Sequence, residues 1–157
     1  MNPTILYQLP PNSHCQMMSY VLQTAEGRLV VIDGGCRPDG EALLRFLEKL
    51  GGPRPTVAAW FLTHAHDDHI GALTELLEHH REERILCNLP PLAWTQAVES
   101  VAAHANREHG PLLAAAGDKI AAVSAGERIS VDEMVFRVLR VPDLNLTVNP
   151  LNNSSIV

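Results

Sequence analysis

The stretch Thr63-His64-Ala65-His66-Asp67-Asp68-His69 decides how this sequence folds and which chemistry it can carry. It follows the apolar run 57–62, which is typical of a buried strand, and it precedes Ile70-Gly71-Ala72-Leu73, which is typical of a first helical turn. The polar cluster is therefore predicted at a strand-to-helix turn. In α/β folds ligands bind at the carboxyl ends of strands, so this turn is the candidate site.

The residue types and their spacing predict a metal site. Neutral imidazole and carboxylate are the ligands that zinc and related ions accept. In an extended segment residues two apart point the same way, so His64 and His66 can grip one ion. Asp68 and His69 follow on the helix and can serve a neighbouring position, which suits two metals in one cleft. Asp67 is interpreted as a non-ligand that caps free N–H groups.

The stretch 63–72 resembles the metal-binding signature of the metallo-β-lactamase superfamily, with Ala72 at a position where a second small residue varies. The resemblance implies that His64 and His66 bind a first metal and that Asp68 and His69 bind a second. It also implies that Asp68 is catalytic, because it would orient the attacking water. One or two zinc ions are expected, with manganese or iron as alternatives.

Three flanking segments extend the resemblance along the chain. Leu29–Gly35 is similar to the strand of the family that ends in Asp-x-Gly, which implies that Asp33 supports the metal ligands from behind. Residues 125–131 resemble a later hairpin. Residues 152–157 resemble the branch that includes the DNA-uptake competence proteins.

The fold implied is an α/β (α+β) layered αββα sandwich with a mixed sheet. Residues 1–157 are predicted to form a single metallo-β-lactamase-like domain whose C-terminal half is missing or truncated. A family member would continue to a Gly-Asp and a later histidine, and a third ligand is expected near 138–142. That stretch has no histidine, which leaves Asp143 as a substitute. We therefore expect weak or no activity from this chain alone, and self-association through an exposed sheet edge.

Net charge and cysteine content limit the binding partners and the cellular compartment that the sequence predicts. The 157 residues carry a net charge of −6, which gives no electrostatic footprint for nucleic acid. A local basic patch is kept as an alternative, and its candidate residues are Arg81, Arg84, Arg107, Arg128, Arg137 and Arg140. Cys15, Cys36 and Cys87 have no short pairing motif and predict reduced thiols, hence a cytoplasmic location. No signal peptide and no membrane segment are predicted.

Periodicity predicts the remaining elements. Strands are expected over 5–7, 17–23, 28–32, 56–62, 84–88, 120–123, 129–131 and 134–141, and helices over 39–50, 70–81, 92–108 and 111–116. Asp39 is expected to cap its helix. The other histidines, His14, His79, His80, His104 and His109, are interpreted as surface residues, with His14 left open as one that approaches the metals.

The leading functional hypothesis is a metal-dependent hydrolase that uses a metal-activated water on a phosphodiester, ester or amide of a small molecule, nucleotide or nucleic acid. The competence-like ending favours the phosphodiester, and the acidic net charge disfavours it. One alternative is a degenerate, non-catalytic binding or regulatory module of the same fold. Another is a redox enzyme that holds iron in the same ligands.

Overall fold

The computed structural model describes residues 2–77, 81–82, 84–98 and 107–145. The strands are β1 (Ile5–Gln8), β2 (Tyr20–Gln23), β3 (Leu29–Ile32), β4 (Thr56–Phe61), β5 (Arg81–Glu82), β6 (Ile85–Cys87), β7 (Ile120–Ala122), β8 (Arg128–Val131) and β9 (Met134–Arg137). The helices are α1 (Gly40–Gly51), α2 (Asp67–Leu76), α3 (Leu92–Val98) and α4 (His109–Ala116), with 3₁₀ turns at Arg37–Asp39 and Gly117–Lys119.

The main sheet is mixed, as the sequence predicts. Its order is β1-β2-β3-β4-β6-β7, with β5 beside β4. The pairs β1–β2 and β2–β3 are antiparallel, whereas β3–β4, β4–β6 and β6–β7 are parallel. In the parallel pair Ile32 lies opposite Phe61. The residues that follow these two strands therefore meet at one edge of the sheet.

The sheet separates two apolar clusters. Trp60 belongs to the cluster beneath the helices, with Leu43 and Leu73. Phe61, the next residue, belongs to the cluster beneath the hairpin β8–β9, and its ring lies 4.7 Å from that of Phe136. Successive strand residues alternate between faces, so β4 contributes to both layers. The layered α/β prediction is confirmed.

Within the described residues the main sheet ends at β1 on one side and at β7 on the other. Leu6 on β1 is 61% exposed. Pairing of two copies through an exposed edge stays a prediction. Across the described ranges, none of the helices combines the length and the apolar character needed to cross a bilayer.

Three local predictions are wrong at the ends of elements. Asp39 does not cap α1, because its fully buried carboxylate accepts hydrogen bonds from the Asn12 N–H and the Ser13 hydroxyl, both at 3.0 Å. The helix predicted from Ile70 begins three residues earlier, at Asp67, so Asp68 and His69 stand on helical backbone. The strand predicted over 134–141 ends at Arg137.

The prediction of three reduced thiols is also wrong. Cys15 and Cys36 form a disulfide, with their Cα atoms 6.3 Å apart. The fold brings together two loops whose cysteines are 21 residues apart in sequence, and no short motif predicts this pairing. Cys87 is free and buried as predicted, and burial raises the pKa of its thiol to about 12. The cytoplasmic location stays a prediction, and the disulfide removes two of the three thiols on which it depends.

The histidine at the start of α4 corrects another expectation. His109 was predicted to be exposed, but it is completely buried, and neither ring nitrogen has a hydrogen-bond partner among the described residues. Burial lowers the pKa of His109 because the charged imidazolium would lose its hydration. The predictions for His79, His80 and His104, the competence-like segment 152–157 and residues 99–106 of the helix predicted over 92–108 lie outside the described residues.

This buried histidine predicts acid sensitivity of the metal-free protein. Below the ordinary histidine pKa of about 6.5 the unfolded chain binds a proton that folded His109 does not, so the free energy of unfolding falls as the pH falls. The loss approaches about 1.4 kcal/mol per pH unit for one group. Urea unfolding at pH 7, 6 and 5, in chelator, measures it. His109→Leu should reduce this slope, with the contribution of the buried His64 remaining, and His14→Gln should not change it. An equal slope in all three proteins would contradict the prediction.

Candidate metal centre

The candidate ligands are positioned by the end of β4 and the start of α2. His66 is the N-cap residue of α2, with extended backbone (φ −72°, ψ 146°). The backbone N–H groups of His69 and Ile70 both donate to the His66 carbonyl, at 2.9 and 3.1 Å, which closes the first helical turn. His64 therefore projects from extended chain and His69 from the helix, and their rings meet with centroids 3.9 Å apart.

Asp33 organises the centre from the neighbouring strand. It follows β3 with φ 56°, a left-handed conformation that aspartate tolerates better than most residues. Its Oδ1 accepts the Thr63 backbone N–H at 2.8 Å. Its Oδ2 accepts both the Thr63 hydroxyl and His69 Nδ1–H, each at 2.8 Å. One carboxylate, 3% exposed, thus joins the ends of β3 and β4 to the first turn of α2.

The Asp33 network also sets the tautomers of two histidine rings. Asp33 Oδ2 accepts from His69 Nδ1–H, so in the neutral ring the lone pair lies on Nε2. Thr63 uses its single hydroxyl hydrogen toward Asp33, so its oxygen accepts from His64 Nδ1–H at 3.0 Å. His64 Nε2 is then also left with a lone pair. Thr63 is a residue of the centre whose role the sequence interpretation missed, although it directly precedes the motif.

The electrostatics favour the neutral form of the buried histidine. His64 is 6% exposed, and burial, with smaller contributions from His69 and His66, lowers its pKa to about 3. At neutral pH it is therefore an uncharged imidazole, which is the form that binds metals.

The donors of the centre fit a metal in type and lie in two pairs. His64 Nε2 is 2.8 Å from His66 Nδ1, and His69 Nε2 is 3.8 Å from Asp68 Oδ2. Two nitrogens that share a tetrahedral zinc stand about 3.3 Å apart, so a small rotation of His66 opens the first pair for an ion. Within the described ranges, no three His, Cys, Asp or Glu side chains are already gathered around one point where an ion could sit.

Asp67 does not cap its own helix, and its position as a non-ligand stays a prediction. Its carboxylate accepts the Glu108 backbone N–H at 3.0 Å and the Arg107 side chain at 3.2 Å, which ties the start of α4 to the motif. Glu108 in turn holds Arg37 with two hydrogen bonds of 2.9 and 2.6 Å. The guanidinium of Arg37 has a raised pKa through this pairing.

The other candidate ligands do not join the centre. Asp143 is exposed, and its Oδ1 accepts the backbone N–H and the side-chain amide of Asn145, both at 3.0 Å. In the described part of the chain no hydrogen bond or ion pair links Asp143 to the motif histidines. His14 is exposed on a groove with Cys15 and Pro38, and nothing places it among the ligands.

The predicted arginine patch forms in part. Arg128 and Arg137 are direct cross-strand partners in the hairpin β8–β9, and both are exposed. Arg84 donates to the Ser130 carbonyl on the same hairpin at 3.3 Å. Arg107 is bound to Asp67 instead. Because Phe136 packs on Phe61 and side chains alternate along a strand, Arg137 and its partner Arg128 lie on the outer face of the hairpin, away from the sheet.

The class of protein follows from these features: a mixed sheet, helices on one face, a hairpin on the other, and a His-x-His-x-Asp-His turn at the end of a central strand. The family model of the metallo-β-lactamase superfamily matches residues 14–141. The chain belongs to this superfamily. A search of the curated proteins finds no match. The branch related to competence proteins stays a prediction.

Solved structures share the fold. BJP-1, a subclass B3 metallo-β-lactamase of Bradyrhizobium japonicum, superposes with a TM-score of 0.56 at 19% identity, over 90% of this chain and 53% of that one. A superfamily protein from Sulfolobus tokodaii gives 0.55 at 22%, over 87% and 55%. A mutant flavo di-iron protein from Thermotoga maritima gives 0.52 at 17%, over 79% and 27%. The chain thus spans about half, or less, of the length of these structures.

Proposed function

We propose that the chain is a metal-dependent hydrolase domain in which His64, His66, Asp68 and His69 hold one or two metal ions, with zinc as the first candidate. The observation that carries the proposal is the Asp33 network, which engages Nδ1 of His69 directly and Nδ1 of His64 through Thr63. Nε2 of each ring is then the atom that would bind a metal, and the ring centroids lie 3.9 Å apart. Membership of the superfamily supports it. The donor atoms already lie in adjacent pairs, so metal binding would not require a large rearrangement of the protein.

Each residue has a distinct part in this proposal. A bound ion would supply a Lewis acid that lowers the pKa of a water for attack. Asp68, whose side chain is 29% exposed, would orient that water and accept its proton. His64 and His69 would be held in orientation by Asp33 and Thr63, since partners behind a ligand fix its tautomer and ring plane.

The substrate is proposed as a phosphodiester, ester or amide, and the phosphodiester should be tested first. The arginines of the hairpin favour an anionic substrate, because Arg128 and Arg137 face solvent in direct opposition and like charges so placed are stabilised by an anion. The net charge of −6 opposes a long polyanion. A panel of bis(p-nitrophenyl) phosphate, p-nitrophenyl acetate and a chromogenic amide separates the three classes.

A non-catalytic binding or regulatory module is the second candidate. It is favoured by the absence of histidine from 138–142 and by the engagement of Asp143 with Asn145. A chain that binds zinc but turns over none of the panel would support this candidate. Hydrolysis lost in Asp68→Asn and kept in Asp118→Asn, an exposed carboxylate in the 3₁₀ turn after α4, would support the hydrolase.

Metal content is the direct test of the centre. Purified without chelator, the protein is expected to hold one or two zinc or manganese ions per chain by elemental analysis, and His66→Ala is expected to lose at least half of them. His14→Ala, which changes an exposed histidine, is the matched control and should keep its metal. Iron in place of zinc would direct the work to redox assays. Metal-free protein that stays unloaded after dialysis against zinc would contradict the proposal.

A further inference from the structure

Two side-chain links join the loop before β2, residues 10–18 and here called the front loop, to the segment 33–39 that follows β3. One is the Cys15–Cys36 disulfide. The other is the pair of hydrogen bonds from Asn12 and Ser13 to the buried carboxylate of Asp39, each 3.0 Å. The front loop is therefore fastened at two separate points.

Both of these segments touch the start of α2, where the candidate ligands stand. The Met18 backbone N–H, in the front loop, donates to the Asp68 carbonyl at 3.3 Å. From the other segment, Gly35 accepts the Ala72 N–H at 3.0 Å, and the backbone of Cys36 lies against Gly71. The disulfide thus joins the two segments that contact the first turns of α2.

The two cysteines differ in exposure. Cys15 is an exposed residue, whereas Cys36 is 3% exposed. Thiol–disulfide exchange depends on which sulfur an attacking thiolate can reach, and exposed disulfides are the labile ones. A thiolate of a dithiol reductant would attack Cys15 Sγ, form a mixed disulfide and release Cys36 as a thiolate that takes up a proton. The second thiol of the reductant then attacks the reductant's own sulfur in the mixed disulfide and releases Cys15 as a thiolate. The dithiol gives two electrons and becomes a disulfide.

Opening the disulfide leaves the Asp39 link in place. Asn12 and Ser13 stay fastened and Met17 stays packed in the core, so the disulfide acts on 14–16, the stretch that leads to the Met18 contact with Asp68. We propose that the Cys15–Cys36 disulfide is a redox-controlled latch that holds the front loop on Asp68 and so sets the metal affinity of the motif. This proposal rests on the metal centre proposed above.

The test compares the air-oxidised protein with a Cys15→Ser/Cys36→Ala variant, and uses Cys87→Ala as the matched control. Denatured without reductant, the wild type should show one reactive thiol, from Cys87, and three after reduction. The double variant should exchange its Met18 amide hydrogen faster than the wild type in the metal-free state. It should also bind zinc about five- to tenfold more weakly in chelator competition, while Cys87→Ala matches the wild type.

The outcomes separate the two proposals. Three reactive thiols in the oxidised protein, or a zinc affinity that is the same in the wild type and the double variant, would overturn the latch and leave the metal centre standing. No zinc binding by the wild type would overturn both. A Met18 amide that exchanges equally in the two proteins would show that the disulfide does not hold the front loop on Asp68, and would also overturn the latch.

Discussion

Replacing Asp33 with alanine is expected to have the largest effect of any single change to this protein. The substitution removes the acceptor of the Thr63 backbone N–H, the Thr63 hydroxyl and His69 Nδ1–H. An unpaired buried donor costs about 1–3 kcal/mol, so the three together should lower the free energy of unfolding by about 3–5 kcal/mol. The melting temperature should fall by about 6–15 °C for a chain of this size.

Replacing Asp33 should also weaken metal binding, and this effect is separate from the loss of stability. Without Asp33 the tautomers of His64 and His69 are no longer fixed, and loss of such a partner typically weakens metal binding by about 10- to 100-fold. Asp33→Asn separates the two effects, because it keeps the shape and one acceptor oxygen but turns an N–H donor toward Thr63 or His69. We expect near-normal melting and weak zinc binding from Asp33→Asn. Zinc affinity equal to wild type in that variant would contradict the role given to Asp33.

Replacing Gly71 with alanine is expected to have the second largest effect. A Cβ on Gly71 would lie 2.5 Å from the backbone nitrogen of Arg37 and 3.1 Å from the backbone carbon of Cys36. Because these are backbone atoms, the segment 36–37 must move away from α2. Overpacking of this kind costs about 1–3 kcal/mol, and the melting temperature should fall by about 2–12 °C.

Gly40→Ala is the matched control, since Gly40 is also helical. Its added Cβ would meet the flexible side chain of Glu75 at 3.4 Å, an ordinary contact. Alanine should therefore be neutral or stabilise α1 by about 0.5–1 kcal/mol, as in other helices. Thermal unfolding of both variants measures the contrast. Equal melting temperatures for Gly71→Ala and the wild type would mean that the segment after β3 does not press on the motif helix.

The sequence by itself determined the fold class and the place of the candidate centre in the fold. The apolar run 57–62 and the cluster after it required a buried strand that ends in a polar turn, and this turn is where the structure places His64, His66, Asp68 and His69. Local patterns of this kind are readable because the period of two in a strand and the period of 3.6 in a helix fix which side chains share a face. The mixed sheet and the supporting position of Asp33 followed from the resemblance carried by the same motif and its flank.

The tertiary structure alone decided the contacts between segments distant in sequence. Thr63 became the link between Asp33 and His64, Asp39 anchored the front loop, and Cys15 met Cys36. His109 was buried although its neighbours in sequence read as polar. None of these pairings has a local signature, because each depends on how two loops at the edge of the sheet approach in space. The periodicity of a sequence determines which side chains of a helix or strand share a face. The packing of the whole core determines which loops come into contact.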